Sequence, residues 1–446
     1  MPKKTKPNII LITFDDCRAD RMGFLGYKKN ITPFLDSIAA KGFYFKNAFA
    51  TGAGSPQSFV GSMTSTYPSD HGGFSYVEPP RVLISEVLQK AGYRTVAVHS
   101  AAYLSDYFGY DSGWDVFNYL SPFKDGDVSE GLKSDSLKAR FLGKVAGVKR
   151  WLNSHIPPLA WFLGFLEKII LVVRKLVKSS RNFTPPFMVA EEINAEVKKI
   201  LREKSDKPLF LWVHYMEAHE LPFFWRSGHG LVKKIKYHLA DTFSFVLGDF
   251  PKINKLFKNL YLELYDVSIK KVDDGIKDLF SYLQAQGIAN NKSVSIFFSD
   301  HGEEIFDHGD FGHEQRPFNV NLNIPLIFYS PEKIKPCAED VPVSLIDIPP
   351  TIAALAGARP AGVWKGKDIF TGNGRPVVSQ LIDCDGNLTN PRPLGATIIW
   401  NGYKFINYKG EKSLFSLDDR KEINNLYSSA PKIASELEKK LKQFMP

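Results

Sequence analysis

The stretch Ser293–His313, SVSIFFSDHGEEIFDHGDFGH, decides how the rest of the chain is read. It opens with an apolar run, Val294 to Phe298, of β-branched and aromatic residues bounded by Ser and Asp, which predicts a buried strand. Asp300 and His301 stand at its carboxyl end, and Glu303, Glu304, Asp307, His308 and His313 follow. Ionisable side chains are costly for a core to carry, whereas the carboxyl edge of an open α/β sheet is where ligands bind. The segment is either a polar loop after a strand or one wall of a site. The stretches on either side favour the site.

Asn8–Phe14 (NIILITF) predicts a second buried strand, running into Asp15-Asp16 and then Arg18 in a Gly-punctuated loop. Phe43–Thr51 predicts another, and its exit loop, TGAGSPQSFVGSMTS, carries Ser55. Thr95–Ser100 places His99 near a strand end, and Pro208–His214 (PLFLWVH) is followed by Glu217 and His219. Between these lie helical patterns from Thr32 to Gly42, Ser85–Ala91, Tyr261–Gln286 and Ser344–Ala356. Such alternation predicts an α/β fold with a large, mostly parallel sheet flanked by helices over 1–370. After about residue 370 the pattern changes. GATIIWNGYKFINYKGEKSLFSL predicts short antiparallel strands joined by Asn-Gly and Lys-Gly turns, then an amphipathic helix, Ala430–Phe444. Residues 371–446 therefore form a small sheet-and-helix domain.

The 446 residues carry a net charge of +9, modest for a nucleic-acid binder. Residues 121–181 hold 12 Lys and Arg against 5 Asp and Glu, and residues 231–260 hold 6 Lys against 2 Asp. These two basic insertions exceed the whole-chain excess. The first contains the apolar run Ile156–Lys178, split by Glu167-Lys168. A spanning helix needs about 20 mostly apolar residues, so a helix lying on an anionic membrane surface or over an apolar cleft fits better. An ordinary buried helix pair with a basic outer side is the alternative. Long aliphatic runs among the basic residues argue against nucleic acid as the partner. Three scattered cysteines and no cleavable leader point to a reducing, cytoplasmic setting, with the basic segments able to touch the cytoplasmic membrane face.

Asp15, Asp16, Asp300 and His301, with the Ser55 hydroxyl, make an oxygen and nitrogen donor set suited to a divalent cation such as Ca, Mg, Mn or Zn. One ion is expected; Glu217, His219 and His313 could hold a second. Ser55-Pro56 also reads as a helix start, with Ser as N-cap and Pro at N1. A hydroxyl at a cation loses its proton more readily, and a helix N-terminus favours anions. Ser55 therefore reads both as a cap and as a nucleophile toward phosphorus or sulfur. His99 faces the same sheet edge, His308 lies in the FDHG loop, and Arg18 follows the carboxylate pair; each is a candidate substrate contact.

NIILITFDDCRAD, TPFLDSIAAKGFYFKNAFA, SPQSFVGSMTSTYPSDHGG, AGYRTVAV, FLWVHYMEAHELP, LYDVSIKKVDDGI, SDHGEEIFDHGDFGHE, NIPLIF, VSLIDIPPTIAALAG and the tail NGYKFINY…LFSLDDRKEINNL occur in this order. In these pieces the chain resembles the sulfatase branch of the alkaline phosphatase superfamily over nearly its full length. The resemblance implies a catalytic α/β domain and a small four-stranded C-terminal domain. It also implies a metal on Asp15, Asp16, Asp300 and His301, with the nucleophile at Ser55. His219 would contact substrate or protonate the leaving group, and His313 would grip the substrate's charged oxygens. One departure stands out. Sulfatases carry C-x-P-x-R or S-x-P-x-R, whose Cys or Ser becomes formylglycine; here those positions are Ser55, Gln57 and Phe59. The expectation is an unmodified Ser55 in a metal-dependent hydrolase or transferase of phosphate or sulfate esters, free or linked to lipid or glycan. An arylsulfatase proper, and a degenerate metal-binding protein of the membrane surface, are the alternatives.

Overall fold

The computed structural model describes residues 6–74, 76–121, 187–219, 251–312, 315–371, 374–383 and 392–445, the side chains of 251–257 excepted. The apolar run Ile156–Lys178, most of both basic insertions, and His313 lie outside the described residues. Contacts divide the chain into two compact units. The first comprises Met1–Leu120, Val189–Glu220 and Tyr265–Pro446, and the second Ser121–Met188 and Leu221–Leu264. Asp15, Asp16, Ser55, His214, His219, Asp300 and His301 all belong to the first.

Among the described residues its large sheet has nine strands. Five of them are β1 (Ile9–Phe14), β2 (Phe43–Phe49), β3 (Arg94–His99), β4 (Val116–Tyr119) and β5 (Leu209–Tyr215). The others are β6 (Val294–Ser299), then, past the small hairpin β7 (Glu304–Ile305) and β8 (Phe311–Gly312), β9 (Asn323–Tyr329), β10 (Cys337–Glu339) and β11 (Val343–Ser344). The order is β10-β2-β9-β6-β1-β5-β3-β4, with β11 beside β2. β1, β5 and β6 are buried along their whole length, which is why their sequences read as unbroken apolar runs. All pairs are parallel except those of β9, which runs antiparallel to β2 and β6. The reason is local. A parallel neighbour needs a crossover back to the starting edge, but the hairpin and the short helix Asn319–Leu322 turn the chain straight from β6 into β9.

Register fixes the site. Phe14 at the end of β1 pairs with Tyr215 on β5 and Ser299 on β6. The residues that follow these three strands therefore emerge side by side at one edge. The helix Pro251–Ala285 begins ten residues before the expected Tyr261 start, inside the stretch assigned to the second basic insertion.

The C-terminal sheet runs β12 (Val377–Asp383), β13 (Arg392–Trp400), β14 (Tyr403–Tyr408), β15 (Glu411–Ser416), in that order and antiparallel. Asn401-Gly402 and Lys409-Gly410 all have positive φ, as tight hairpin turns require. The helix Pro431–Leu441 lays Ala434, Leu437 and Leu441 on this sheet, in one apolar cluster with Tyr67 and Ile346. The sheet also braces the loop that leads to Ser55. Gln380 N–H donates to Thr51 O at 2.8 Å, Ser379 Oγ to Ala50 O at 2.6 Å, and Gln57 Nε2 to Ile382 O at 3.0 Å.

A buried ion pair ties it to the other wall of the site. Lys404 Nζ donates to Glu422 Oε1 at 2.6 Å and to Asn319 Oδ1 at 2.9 Å, and Asn319 N–H donates to Glu422 Oε2 at 2.6 Å. Two residues on, Asn321 O accepts from Gly302 N–H at 2.8 Å, directly behind His301. Lys404→Met leaves the Glu422 charge buried and unpaired, and is expected to cost about 3–5 kcal/mol. Urea unfolding of the whole chain measures this, and adding Glu422→Leu should restore a large part of the loss.

Candidate active site

Asp15 and Asp16 leave β1, Asp300 and His301 leave β6, and Ser55 opens the helix Ser55–Thr64. The register above brings the first two pairs together, and the loop after β2 brings in the serine. Asp15, Asp16, Asp300 and His301 are fully buried, while Ser55 is 8% exposed. The serine is thus the member of the cluster nearest to solvent.

His301 Nδ1 faces its neighbour Gly302 O at 3.0 Å and donates to it, which leaves Nε2 to face the carboxylate cluster. Around that nitrogen lie Ser55 Oγ at 3.2 Å, Asp15 Oδ1 at 3.3 Å and Asp300 Oδ2 at 3.6 Å. Ser55 Oγ also donates to Asp15 Oδ2 at 3.3 Å. Asp300 Oδ1 is held by Asp16 N–H at 3.2 Å and His301 N–H at 2.9 Å, so its other oxygen points inward. Asp15 Oδ1, both Asp16 carboxylate oxygens and Asp300 Oδ2 accept no hydrogen bond among the described residues. Asp16 sits at φ 60°, a strained left-handed conformation of the kind kept at functional sites. Tyr265 locks it there, its hydroxyl donating to Asp16 O and accepting from Arg18 N–H at 2.9 Å.

The electrostatics are lopsided. Burial, with Glu303, Asp15 and Asp300 alongside, pushes the Asp16 carboxyl well above its ordinary range. Burial and the Asp15 charge push Asp300 up as well. Burial works in the same direction on Asp15, but His219, His214 and His301 overcome it and hold that carboxyl below its usual range. Inward-facing carboxylate oxygen lone pairs repel one another unless a cation lies between them. Donor atoms of Asp15, Asp300 and His301 fall within 4.8 Å of one another, a span one ion can bridge. The residues present fit a divalent cation of the hard or borderline class.

Ser55 is not the helix N-cap. Gly54 occupies that position, in an extended conformation, and no side chain caps the helix. The serine hydroxyl is turned to Asp15 and His301 instead of to the backbone. Pro56 keeps its place in the first turn, where its missing N–H costs nothing. Phe59, one turn along, is fully buried with its ring centroid 4.9 Å from that of His214.

The other expected contacts are distributed around this cluster. His219 lies close enough to Asp15 to help hold its carboxyl ionised. Arg18 is buried, and its guanidinium is engaged by Asp20 at 2.6 and 2.8 Å, Asp307 at 2.7 Å and Glu303 O at 3.2 Å. It orders the loop that carries Glu303. His99 is fully buried, stacked on Trp212 at 5.1 Å and edge-on to Phe117, and burial lowers its pKa to about 3. His308 is bound by Glu304 at 3.0 Å and stacked on Phe318 at 3.7 Å. Glu217 is 5% exposed, with Oε1 accepting Ala190 N–H and burial pushing its pKa up to about 7. His214 and Tyr265 had no place in the sequence reading. A histidine inside the apolar run FLWVHY was a signal for the first; no local pattern marks the second.

A family model described as "Sulfatase" matches residues 7–358. The chain belongs to the sulfatase family. Among curated relatives of this sulfatase-family chain, an arylsulfatase of Clostridium perfringens is 23% identical, covering 95% of this chain and 91% of the relative. An N-acetylgalactosamine-6-O-sulfatase of Bacteroides thetaiotaomicron is 22% identical over 78% of this chain and 72% of its own length. The fold is also that of the phosphonate monoester hydrolase of Agrobacterium radiobacter, with a TM-score of 0.69 and 17% identity, covering 98% of this chain and 95% of that one. The chain is therefore an ester hydrolase of the alkaline-phosphatase-like superfamily: a large, mostly parallel sheet with a small C-terminal antiparallel one.

Proposed function

We propose that this sulfatase-family hydrolase cleaves phosphate or sulfate esters at a divalent-cation centre, with Ser55 acting as an unmodified serine nucleophile. The observation that carries the reading is the position of Ser55 Oγ, 3.3 Å from Asp15 Oδ2 and 3.2 Å from His301 Nε2, at a helix N-terminus. Gln57 and Phe59 stand where the maturation signal has Pro and Arg, so conversion to formylglycine has no motif to act on. Phe59 itself supplies no guanidinium to the site, which favours phosphorus esters over sulfate monoesters. Relatives named for sulfated sugars support a carbohydrate-linked ester as the natural substrate class.

A cation held by Asp15, Asp16, Asp300 and His301 would lower the pKa of the Ser55 hydroxyl and offset charge on the ester oxygens. The protein supplies the rest. Ser55 Oγ forms a bond to phosphorus (or sulfur) as the bond from that atom to the ester oxygen breaks. The serine proton leaves toward Asp15 Oδ2, and the departing oxygen takes a proton from His219. The helix N-terminus faces the transferred group with its positive end. Water then cleaves the seryl ester, releases the inorganic anion and restores the hydroxyl.

A panel of aryl phosphate, aryl phosphodiester, aryl phosphonate and aryl sulfate, with Mg, Ca, Mn or Zn added singly, tests this. The expected result is phenol release that requires metal and is faster with phosphorus esters. Turnover of the sulfate alone, with formylglycine at residue 55, would overturn it.

A further inference from the structure

His214 is buried where the chemistry above gives it no task. It is fully buried on β5, and its Nε2 accepts and donates no hydrogen bond among the described residues. An unsatisfied buried polar atom costs about 1–3 kcal/mol. The ring is nonetheless held with care. Thr13 is its register partner on β1, so the two side chains share a face of the sheet. Thr13 Oγ1 lies 3.0 Å from His214 Nδ1 and accepts the Trp212 indole N–H at 2.9 Å. With that indole as a donor only, the threonine proton is free to point at Nδ1, the nearer of its two acceptors; Val213 O is at 3.3 Å. The ring hydrogen then sits on Nε2. The edge contact with Phe59 and the strand beneath keep the ring from turning away.

Nε2 points at Asp15 Oδ2 from 3.8 Å. That oxygen is the one accepting the Ser55 hydroxyl. A bare nitrogen there would set one lone pair against another, so the same tautomer is favoured from both sides of the ring. We infer that His214 is a positioning residue: its Nε2–H fixes the Asp15 carboxylate so that Oδ2 meets Ser55 and Oδ1 meets the cation cluster. The inference rests on the proposed role of Ser55 for its kinetic half, while its link to Asp15 stands without it. The distance is that of a charge–dipole contact, longer than a hydrogen bond. His214 thus acts through Asp15 and touches no reacting atom.

The test uses His214→Phe, which keeps ring volume and stacking but removes the N–H, and His214→Gln, whose amide N–H can reach the same oxygen. Mn2+ affinity is measured by titration calorimetry on the full chain, in both the Ser55 and the Ser55→Ala backgrounds. kcat and KM are measured with an aryl phosphate. His214→Phe is expected to weaken Mn2+ binding about 10–100-fold, as loss of a partner behind a ligand does. kcat should fall with KM little changed, and His214→Gln should recover most of both. A folded His214→Phe protein with Mn2+ affinity and kcat within about twofold of the parent, against that expected loss, would overturn the inference. Should His214→Phe not fold, Thr13→Val, which frees the tautomer, gives the same reading: weaker Mn2+ binding supports the role and unchanged binding overturns it. Turnover surviving in Ser55→Ala would sink the nucleophile instead, while the Mn2+ affinities would still report on His214.

Discussion

Ser55→Ala lowers turnover by about 10^4-fold or more, the scale seen when a nucleophile acting as part of a unit is removed. The expectation follows from what surrounds the hydroxyl. Asp15, Asp16, Asp300 and His301 are fully buried, and Ser55, at 8% exposed, is the member nearest to solvent. Its hydroxyl lies 3.3 Å from Asp15 Oδ2 and 3.2 Å from His301 Nε2. Folding is expected to survive the change, because Ser55 caps nothing and Gly54 already occupies the N-cap. Steady-state rates with an aryl phosphate, beside a thermal melt of the same sample, separate lost chemistry from lost structure. A variant with rates within tenfold of the parent, against the loss expected for a nucleophile, assigns the attack to water and leaves Ser55 as a bystander.

Asp300→Asn should act in opposite directions with and without metal. In the metal-free protein Asp300 adds a buried charge to Asp15 and Asp16, and a pair of charges 4 Å apart costs about 4 kcal/mol at an effective dielectric of 20. Asparagine keeps the Oδ1 acceptor used by Asp16 N–H and His301 N–H and removes that charge. The metal-free variant is therefore expected to be more stable by about 1–2 kcal/mol, after discounting for partial protonation of the native carboxyl. With Mn2+ the order reverses, because the parent gains binding free energy that scales with the logarithm of free metal over Kd and the variant gains little. Turnover should fall with the lost site.

The pH dependence carries a matching sign. Asp16 and Asp300 have folded pKa values above their unfolded ones. Above about pH 4 the unfolded chain releases protons that the folded chain retains, so these two groups make metal-free stability fall as pH rises. Asp15 contributes oppositely, adding stability above its unfolded pKa that is lost as pH falls toward its depressed folded value. Denaturant midpoints from pH 5 to 8, with and without Mn2+, should show a shallower metal-free slope for Asp300→Asn. Equal slopes and equal metal-induced shifts in parent and variant would remove Asp300 from the cation site.

The legible parts of the chain were those where one local rule sufficed. Apolar runs ending in Asp15-Asp16 and in Asp300-His301 marked β1 and β6 because both strands are buried on both faces. Asn401-Gly402 and Lys409-Gly410 marked the C-terminal hairpins because those turns demand positive φ. What escaped depended on side chains meeting across the fold. The reversal of β9 follows from a short return path that no residue pattern announces. Tyr265 reaches Asp16 O from a helix hundreds of residues away in sequence, with no spacing to betray it. Ser55 read as an N-cap because Ser-Pro so often opens a helix; the pull of Asp15 and His301 on its hydroxyl overrides that preference. Lys404 and Glu422 look like surface charges on a strand and a loop, and only the docked sheet shows them buried together.

Mass spectrometry of the peptide carrying residue 55 distinguishes attack by an unmodified serine from every alternative. Resting enzyme should give the mass of plain serine, and acid quenching during turnover should add one phosphoryl or sulfuryl group at that residue alone. Formylglycine in the resting peptide, or an adduct on any other side chain, would exclude Ser55 as the attacking group.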